Sequence, residues 1–283
     1  YNPQKGSDRA VIIDAHQRFW MVGRGDYGWL TPESGGLYQD YLPDDLMPLM
    51  KKTGVDGTIL VQAAPTVAET EFLLSLASDN DFVLGVVGWI DFESPTVWDD
   101  LDQLADHEKL VGLRPMIQDI ADDDWMMSGH IIQAFEALTS YGLTFDALTY
   151  TRHLKNLELL IDRHPEMRVV IDHASKPQIA EGAYAEWAAN MRLLAETTTA
   201  YCKLSGLVTE AGENWTIDDL RPYTDRLLET FGPERLIWGS DWPVCTRVAT
   251  YEQWYETTLE LIGDDEQVRA AIFGENAIRA YCL

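Results

Sequence analysis

Cysteine is scarce in this chain of 283 residues, which has only 3 cysteines. They are far apart in sequence and form no Cys-x-x-Cys motif, which argues against a disulfide framework and against a structural zinc site. Isolated thiols are typical of proteins from a reducing compartment, so we expect a cytoplasmic protein. The residues are Cys202, Cys245 and Cys282.

Long hydrophobic runs and basic residues are also lacking. No apolar run approaches the roughly 20 residues that a membrane-spanning helix needs. Asp and Glu number 47 against 21 Lys and Arg, which gives a net charge of −26. A surface this acidic repels nucleic acid and anionic membranes, so we expect neither as a partner. The expected partner is a small molecule, and the oligomeric state stays open between a monomer and a small homo-oligomer.

Several motifs of known catalytic and nucleotide sites are missing. No Gly-x-Gly-x-x-Gly follows the first predicted strand and no Gly-x-x-x-x-Gly-Lys-Ser/Thr occurs, which argues against a nucleotide-binding sheet. No Ser or Cys stands in a Gly-x-Ser-x-Gly motif, and Gly239-Ser240-Asp241 lacks the second glycine. These absences favour direct attack by water over a covalent acyl-enzyme.

Short β-branched runs alternate eight times with helical segments, and no break in composition marks a linker. This pattern predicts parallel strands with right-handed crossovers. Eight such units predict an α/β fold of the closed (β/α)8, TIM-type barrel class, as a single domain over residues 1–283. An open doubly wound sheet is the alternative. The predicted strands cover residues 10–15, 58–61, 82–90, 110–113, 143–145, 168–172, 201–204 and 235–237.

Ionisable and polar residues follow these predicted strands. In a (β/α)8 barrel the carboxyl ends of the strands converge on one face, where the chemistry is located. Each residue alone is weak support for a site, but the barrel would make the whole set neighbours. The set comprises His16, Arg18, Gln62, Asp91, Arg114, Asp146, His173, Lys203, Ser205 and Asp241.

The chemistry of this set suits the addition of water to an ester or lactone carbonyl. Asp241 can act as a general base toward water. His173 and His16 can donate hydrogen bonds to a carbonyl oxygen that gains negative charge, or hold a metal against it. Arg18 and Arg114 can neutralise an oxyanion or bind a carboxylate through two parallel hydrogen bonds.

Aromatic residues offer candidate contacts to a ring-shaped substrate. A long loop over residues 20–42 is rich in glycine and contains Trp29, and a second indole, Trp242, follows Asp241 directly. Long loops of this kind are usually functional or mobile. Its aromatic side chains can stack on a sugar, close over a pocket or fill one end of a barrel, and the sequence does not separate these roles.

Nearly the whole chain resembles the amidohydrolase superfamily, in its branch of sugar-acid lactonases. That branch includes L-fuconolactonase-like and L-rhamnonolactonase-like proteins and 2-pyrone-4,6-dicarboxylate lactonase. The resemblance rests on a series of motifs in the same order, which is specific for the family but not for one substrate. The main ones are Ile13-Asp14-Ala15-His16-Gln17, Gly112-Leu113-Arg114, Val170-Ile171-Asp172-His173 with Lys176-Pro177, Lys203-Leu204-Ser205-Gly206-Leu207, and Trp238-Gly239-Ser240-Asp241-Trp242-Pro243.

The resemblance implies that Asp241 activates water, while His16 and His173 polarise the lactone carbonyl or bind a metal. It also implies that Arg114 lies on the substrate side, and that Asp146 and Lys203 position sugar hydroxyls or the site itself. The expected substrate is an aldono-1,4- or 1,5-lactone of the L-fucono or L-rhamnono type.

Two positions depart from the family pattern. The first strand of the family ends in His-x-His, but here Arg18 replaces the second histidine, and Pro115 stands where relatives often have histidine. A guanidinium has no lone pair for a metal and would repel one. We therefore expect catalysis without a metal cofactor, with Arg18 as the fixed positive charge. The alternative is one zinc ion held by His16, His173 and Asp241.

Two other functions remain open from the sequence. One is a metal-dependent decarboxylase or hydratase of the same superfamily, although the loss of the second histidine counts against it. The other is a catalytically impaired homologue that only binds a sugar acid, which the departures at Arg18 and Pro115 would explain.

Overall fold

The computed structural model describes residues 9–283, and residues 1–8 of the predicted single domain lie outside the described residues. Eight parallel strands form one sheet in the order β1 to β8. Backbone hydrogen bonds also join the first strand to the last, from Arg18 N to Trp242 O (2.8 Å) and from Asp241 N to His16 O (2.8 Å). The strands are Ile13–Gln17 (β1), Gly57–Val61 (β2), Val83–Gly88 (β3), Leu110–Leu113 (β4), Thr144–Ala147 (β5), Val169–Ile171 (β6), Tyr201–Leu204 (β7) and Leu236–Trp238 (β8).

Helices follow the strands and surround them, so the (β/α)8 barrel prediction is confirmed and the open doubly wound alternative is wrong. Among the described residues, no helix is long and apolar enough to cross a membrane. The helices are Pro43–Thr53 (α1), Val67–Asp79 (α2), Val97–Ala105 (α3), Ile132–Ser140 (α4), Leu154–Arg163 (α5), Ala185–Thr197 (α6), Leu207–Ala211 (α7), Ile217–Phe231 (α8), Tyr251–Ile262 (α9), Glu266–Ala270 (α10) and Asn276–Tyr281 (α11).

Local signals explain where the helices begin and end. In α1 the carboxylate of Asp45 accepts a hydrogen bond from Leu42 N (2.8 Å), and the helix stops at Gly54, whose φ of 77° suits glycine. In α2 the hydroxyl of Thr66 accepts a hydrogen bond from Glu69 N (3.1 Å). These caps also fix the loops that precede the helices, and those loops lie at the strand ends.

The core has two layers. The larger lies between the strands and the helices, and the smaller fills the inside of the barrel with side chains such as Ile59, Val61 and Val170. The last helix, α11, contributes Ala277 and Tyr281 to this inner cluster. The C-terminal segment therefore closes the interior of the barrel, and the buried charges at the other end of the strands are shielded from water.

The elements differ from the prediction at several places. β1 begins at Ile13 and includes His16. The residue before it, Ile12, lies outside the strand pairing, and its N–H donates to the carboxylate of Asp56. The loop over residues 20–42 contains 3-10 helices at Val22–Arg24 and Pro32–Leu37. At the C-terminus, α10 and α11 are separated by a π-helical turn at Ala271–Glu275, where Gly274 packs against the carbonyl of Val11.

Candidate active site

Asp241 lies at the junction between β8 and β1. Gly239 makes this junction possible, because a Cβ atom there would lie 2.6 Å from His16 Cβ. The next residue is fixed by a hydrogen bond from Ser240 N to the buried carboxylate of Asp14 (2.8 Å). Asp241 itself has a left-handed backbone with a φ of 55°, which turns its carboxylate toward a cavity at the strand ends.

Arg18 connects this carboxylate to His16. Its Nη2 lies 3.3 Å from Asp241 Oδ1 and 3.0 Å from His16 Nε2. Its Nη1 donates to the carbonyl of Gln62 (2.9 Å). The guanidinium is thus held on several sides, and it presents a fixed positive charge beside the candidate base.

A hydrogen-bonded loop holds the carbonyl of Gln62 in place. Glu69 in α2 is fully buried and its carboxylate accepts hydrogen bonds from Ala63 N (2.9 Å) and Ala64 N (3.3 Å). The carbonyl of Gln62, directly before Ala63, accepts hydrogen bonds from Arg114 Nη2 (2.5 Å) and from Arg18. Glu69 therefore determines where the main-chain acceptor for both guanidinium groups lies.

His173 approaches the same carboxylate from β6. Its Nε2 lies 3.8 Å from Asp241 Oδ1, and its Nδ1 lies 2.8 Å from Ser205 Oγ. Gly206 leaves room for the ring, because a Cβ atom there would lie 2.8 Å from Nδ1. The two histidine rings, His16 and His173, are 4.4 Å apart between centroids.

Burial keeps both imidazoles neutral at neutral pH. It lowers the pKa of His16 well below the ordinary value, and the nearby charge of Lys203 adds to this effect. Burial lowers the pKa of His173 in the same way. Since Arg18 has no acceptor atom, Nε2 of the neutral His16 accepts from Arg18 Nη2, and the ring proton then stands on Nδ1, which lies 3.2 Å from Lys203 Nζ and 3.5 Å from Asp172 Oδ1.

A buried ion network supports the site from below. Lys203 Nζ lies 2.6 Å from Asp146 Oδ2 and 2.9 Å from Asp172 Oδ1, and Arg114 Nη1 lies 3.2 Å from Asp172 Oδ2. Burial alone would raise the pKa of Asp172, but Lys203 and His16 hold it well below its usual range. Burial raises the pKa of Asp146 to about 7. The network fixes Arg114 and His16 because buried charges of this kind need their partners.

The cavity above these groups has a volume of about 310 Å³. Of the residues predicted from sequence, Arg18, Trp29, Arg114, His173 and Asp241 line it. Trp29 is 41% exposed and donates from Nε1 to the carbonyl of Ala63 (2.8 Å), so it forms part of the rim.

The other predicted residues lie elsewhere. Asp146 and Lys203 are fully buried in the ion network, and His16 lies behind Arg18, so none of them reaches the cavity wall. Trp242 is buried and packs edge-on against Phe19 and Tyr41, which corrects the expectation that it contacts substrate. Asp91 is exposed and is not part of the site.

Several residues on the cavity wall were not predicted. Lys176 was noted only as part of a motif, and its Nζ donates to Gln118 Oε1 (2.5 Å). Burial lowers the pKa of Lys176 and raises that of Glu210. Loop residues such as these carry no periodic or strand-end signal. The additional lining side chains are Ala63, Met116, Gln118, Asp119, Leu148, Lys176, Thr209, Glu210, Val244 and Arg247.

One group of side chains could in principle hold a metal ion. Ligand atoms of His16, His173 and Asp241 lie within 4.8 Å of one another. However, Arg18 Nη2 lies against the same atoms, His16 Nε2 and Asp241 Oδ1, that would bind the ion. A guanidinium cannot be a ligand, and its charge opposes a second cation at this distance. With Arg18 in this position, a metal ion would have to displace the guanidinium to reach these atoms.

Comparison with known proteins places this geometry in a family. An L-fucono-1,5-lactonase of Burkholderia ambifaria is 42% identical over 277 residues, which cover 95% of this chain and 94% of that protein. An L-fucono-1,5-lactonase of Burkholderia multivorans is 38% identical over 296 residues and 97% of each chain.

Solved structures agree with these sequence relatives. Two crystal structures of a Burkholderia multivorans amidohydrolase, one with bound HEPES and one with bound zinc, match with a TM-score of 0.90 at 37% identity. Each match covers 97% of this chain and 100% of the solved chain. The family described as Amidohydrolase matches residues 13–283, from the first strand of the barrel onward. With the barrel, its strand-end residues and this match in agreement, the chain belongs to the amidohydrolase family.

Proposed function

We propose that the protein is a hydrolase that opens the ring of a sugar-acid lactone, with L-fucono-1,5-lactone as the first candidate substrate. The observation that carries the proposal is the pair formed by Asp241 and Arg18 on the cavity wall, a carboxylate beside a fixed positive charge. The relatives named L-fucono-1,5-lactonase support the substrate class.

The reaction begins with water at Asp241. The carboxylate takes a proton as the water oxygen adds to the lactone carbonyl carbon. Arg18 and the neutral His173 donate hydrogen bonds to the carbonyl oxygen as it becomes an oxyanion. The bond between the carbonyl carbon and the ring oxygen then breaks, the electron pair moves to the ring oxygen, and a proton completes the hydroxyl group of the product.

His16 has a supporting role in this mechanism. It accepts a hydrogen bond from Arg18 at Nε2 and lies behind the guanidinium, so it cannot reach the carbonyl oxygen directly. Arg114 borders the cavity but is fully buried, and its guanidinium donates to Gln62 and Asp172, which suits a role in positioning the carbonyl of Gln62 beside Arg18. In this mechanism Arg18 stabilises the oxyanion, as a metal ion would, and we propose that no metal is required.

The size and polarity of the cavity suit a monocyclic sugar lactone. Its volume of about 310 Å³ lies at the small end of ligand pockets, which span roughly 300–1,000 Å³. Polar side chains such as Gln118, Asp119 and Glu210 can hydrogen-bond ring hydroxyls.

Substitution of the base tests the proposal. Asp241→Asn keeps the shape of the side chain but cannot accept a proton from water, so kcat for L-fucono-1,5-lactone should fall by about 100-fold or more. Proton release measured with a pH indicator gives the rate after subtraction of spontaneous hydrolysis. Asp225→Asn in α8, at an exposed position, is the matched control and should keep the wild-type rate. A folded Asp241→Asn variant with kcat within twofold of wild type would show that another group activates water.

A further inference from the structure

The segment after β6 has an unusual backbone. Four consecutive residues with side chains have left-handed φ angles: His173 (51°), Ala174 (49°), Ser175 (57°) and Lys176 (48°). This conformation is unfavourable for every residue except glycine, and a run of them persists only where the surroundings hold it. Strained backbone of this kind clusters at functional sites.

The structure holds this turn firmly from outside the cavity. Trp187 Nε1 donates to the carbonyl of Ala174 (2.7 Å), and the hydroxyls of Thr149 and Ser175 are hydrogen-bonded (2.8 Å). Lys176 N donates to the carbonyl of His173 (2.8 Å), which closes the turn. The two central residues are fully buried, so the turn is part of the rigid core.

The consequence of the turn is that His173 and Lys176 both face the cavity. Residues three apart in such a tight turn lie above one another, and both line the same wall. The ammonium group of Lys176 is directed by Gln118 Oε1 (2.5 Å) and lies 5.5 Å from the centroid of the Tyr150 ring. Among residues 9–283, no carboxylate oxygen lies within 4.0 Å of this ammonium, so it keeps donors for a ligand.

Lys176 and Arg18 approach the cavity from different strands of the barrel. Arg18 follows β1, next to β8, whereas Lys176 follows β6 and its ammonium donates to Gln118, which follows β4. In a closed ring of eight strands, β4 and β5 lie across from β8 and β1. Since both side chains line the same cavity, a lactone whose carbonyl oxygen points to Arg18 can place its neighbouring ring oxygen toward the Lys176 ammonium.

We propose that Lys176 contacts the substrate and donates a proton to the ring oxygen as the ring opens, an inference that rests on the proposed lactone hydrolysis. The carbonyl carbon–oxygen bond breaks, its electron pair stays on the ring oxygen, and that oxygen takes one proton from the ammonium. Lys176 regains a proton from solvent, and Asp241 releases to solvent the proton it took from water. The sum is one lactone and one water converted to one hydroxy acid.

The test is Lys176→Met, which has nearly the same shape without a charge. The kcat for L-fucono-1,5-lactone should fall by about 10- to 100-fold while KM changes little, because the contact forms as negative charge develops on the leaving oxygen. Lys176→Arg should recover part of the loss. Lys155→Met, at an exposed position in α5, is the control and should behave as wild type.

A second substrate separates proton donation from positioning. In the corresponding 1,5-thiolactone the leaving atom is sulfur, and a thiolate departs without needing a proton, so Lys176→Met should lose less activity than on the oxygen lactone. Release of the thiol is measured with a thiol reagent. Equal losses on both substrates, a rise in KM at unchanged kcat, or wild-type kcat in Lys176→Met would overturn the inference. If wild type does not cleave the thiolactone, the kcat and KM values on the oxygen lactone decide.

The outcomes for the two proposals are distinct. A wild-type protein that hydrolyses no lactone contradicts the proposed function itself. A wild-type protein that hydrolyses lactones, with a Lys176→Met variant that does so equally well, contradicts only the role of Lys176.

Discussion

At the scale of single residues, Arg18 changes how the site can work. The guanidinium lies against the lone-pair atoms of His16 and Asp241 and brings a positive charge to them. A positive charge that belongs to a side chain does not have to be bound from solution, as a metal ion does, and it stays in place between turnovers. In return, the site depends on the groups that hold Arg18, namely the carbonyl of Gln62 and the ring of His16.

Glu69 gives a residue-scale prediction about stability and pH. Burial raises its pKa from the ordinary 4.5 to about 7, so between these values the folded state binds a proton that the unfolded state has lost. The free energy of unfolding should therefore fall as pH rises from 4.5 to 7, by on the order of 3 kcal/mol from this group.

The comparison that isolates this effect is with Glu69→Gln, which cannot titrate. Urea unfolding at a series of pH values should give a difference, wild type minus variant, that decreases across this window and is flat below pH 4. A difference that stays flat between pH 4.5 and 7 would contradict this and would mean that Glu69 is already ionised in the folded protein across the window, held by Ala63 N, Ala64 N and the nearby arginines.

The sequence predicted part of this site for a clear reason. Arg18, His173 and Asp241 stand next to strand ends, and the barrel brings strand ends together whatever the details of packing. How deep a side chain lies below the cavity was not predictable. Lys203 and Asp146 also stand at strand positions, yet they are buried below the cavity. Alternation along a strand shows which side a residue faces, but not whether another side chain lies between it and the substrate.

At the scale of elements, strands and most helices followed from their hydrophobic patterns, and connections did not. The turn at residues 173–176 contains no glycine, so no residue preference predicted its left-handed backbone or the position of Lys176. The short helix α7 was missed because it has only one turn and directly follows Gly206. Both features depend on contacts with distant parts of the chain, such as that of Trp187 with Ala174.

The junction of β8 with β1 shows how one element limits another. Gly239 lies so close to His16 that no side chain fits between them, and Ser240 is fixed through Asp14. Burial raises the pKa of Asp14 to about 6, and Tyr251 donates to its carboxylate (3.1 Å). The position of Asp241, the proposed base, therefore depends on contacts made in the interior of the barrel.

At the scale of the whole molecule, the net charge of −26 has consequences for stability. Like charges on a compact surface repel one another, and salt screens them, since the Debye length falls from about 10 Å at 0.1 M to about 3 Å at 1 M. We expect the Tm to rise by several degrees between 0.1 M and 1 M KCl. Calorimetry at both salt concentrations, with sucrose as an uncharged control, measures this. A Tm that is unchanged or lower in 1 M KCl would mean that attractive ion pairs outweigh the repulsion.

The proposed catalysis uses the charged side chains of the site rather than a bound metal ion. One measurement tests this directly. It is the initial rate of proton release from L-fucono-1,5-lactone by wild-type protein dialysed against a chelator, compared with the rate after zinc is added back. Because Arg18 already lies against His16 and Asp241, we predict equal rates and no zinc retained by the protein. Loss of activity in chelator, with recovery in proportion to bound zinc, would contradict catalysis by Arg18 in place of a metal.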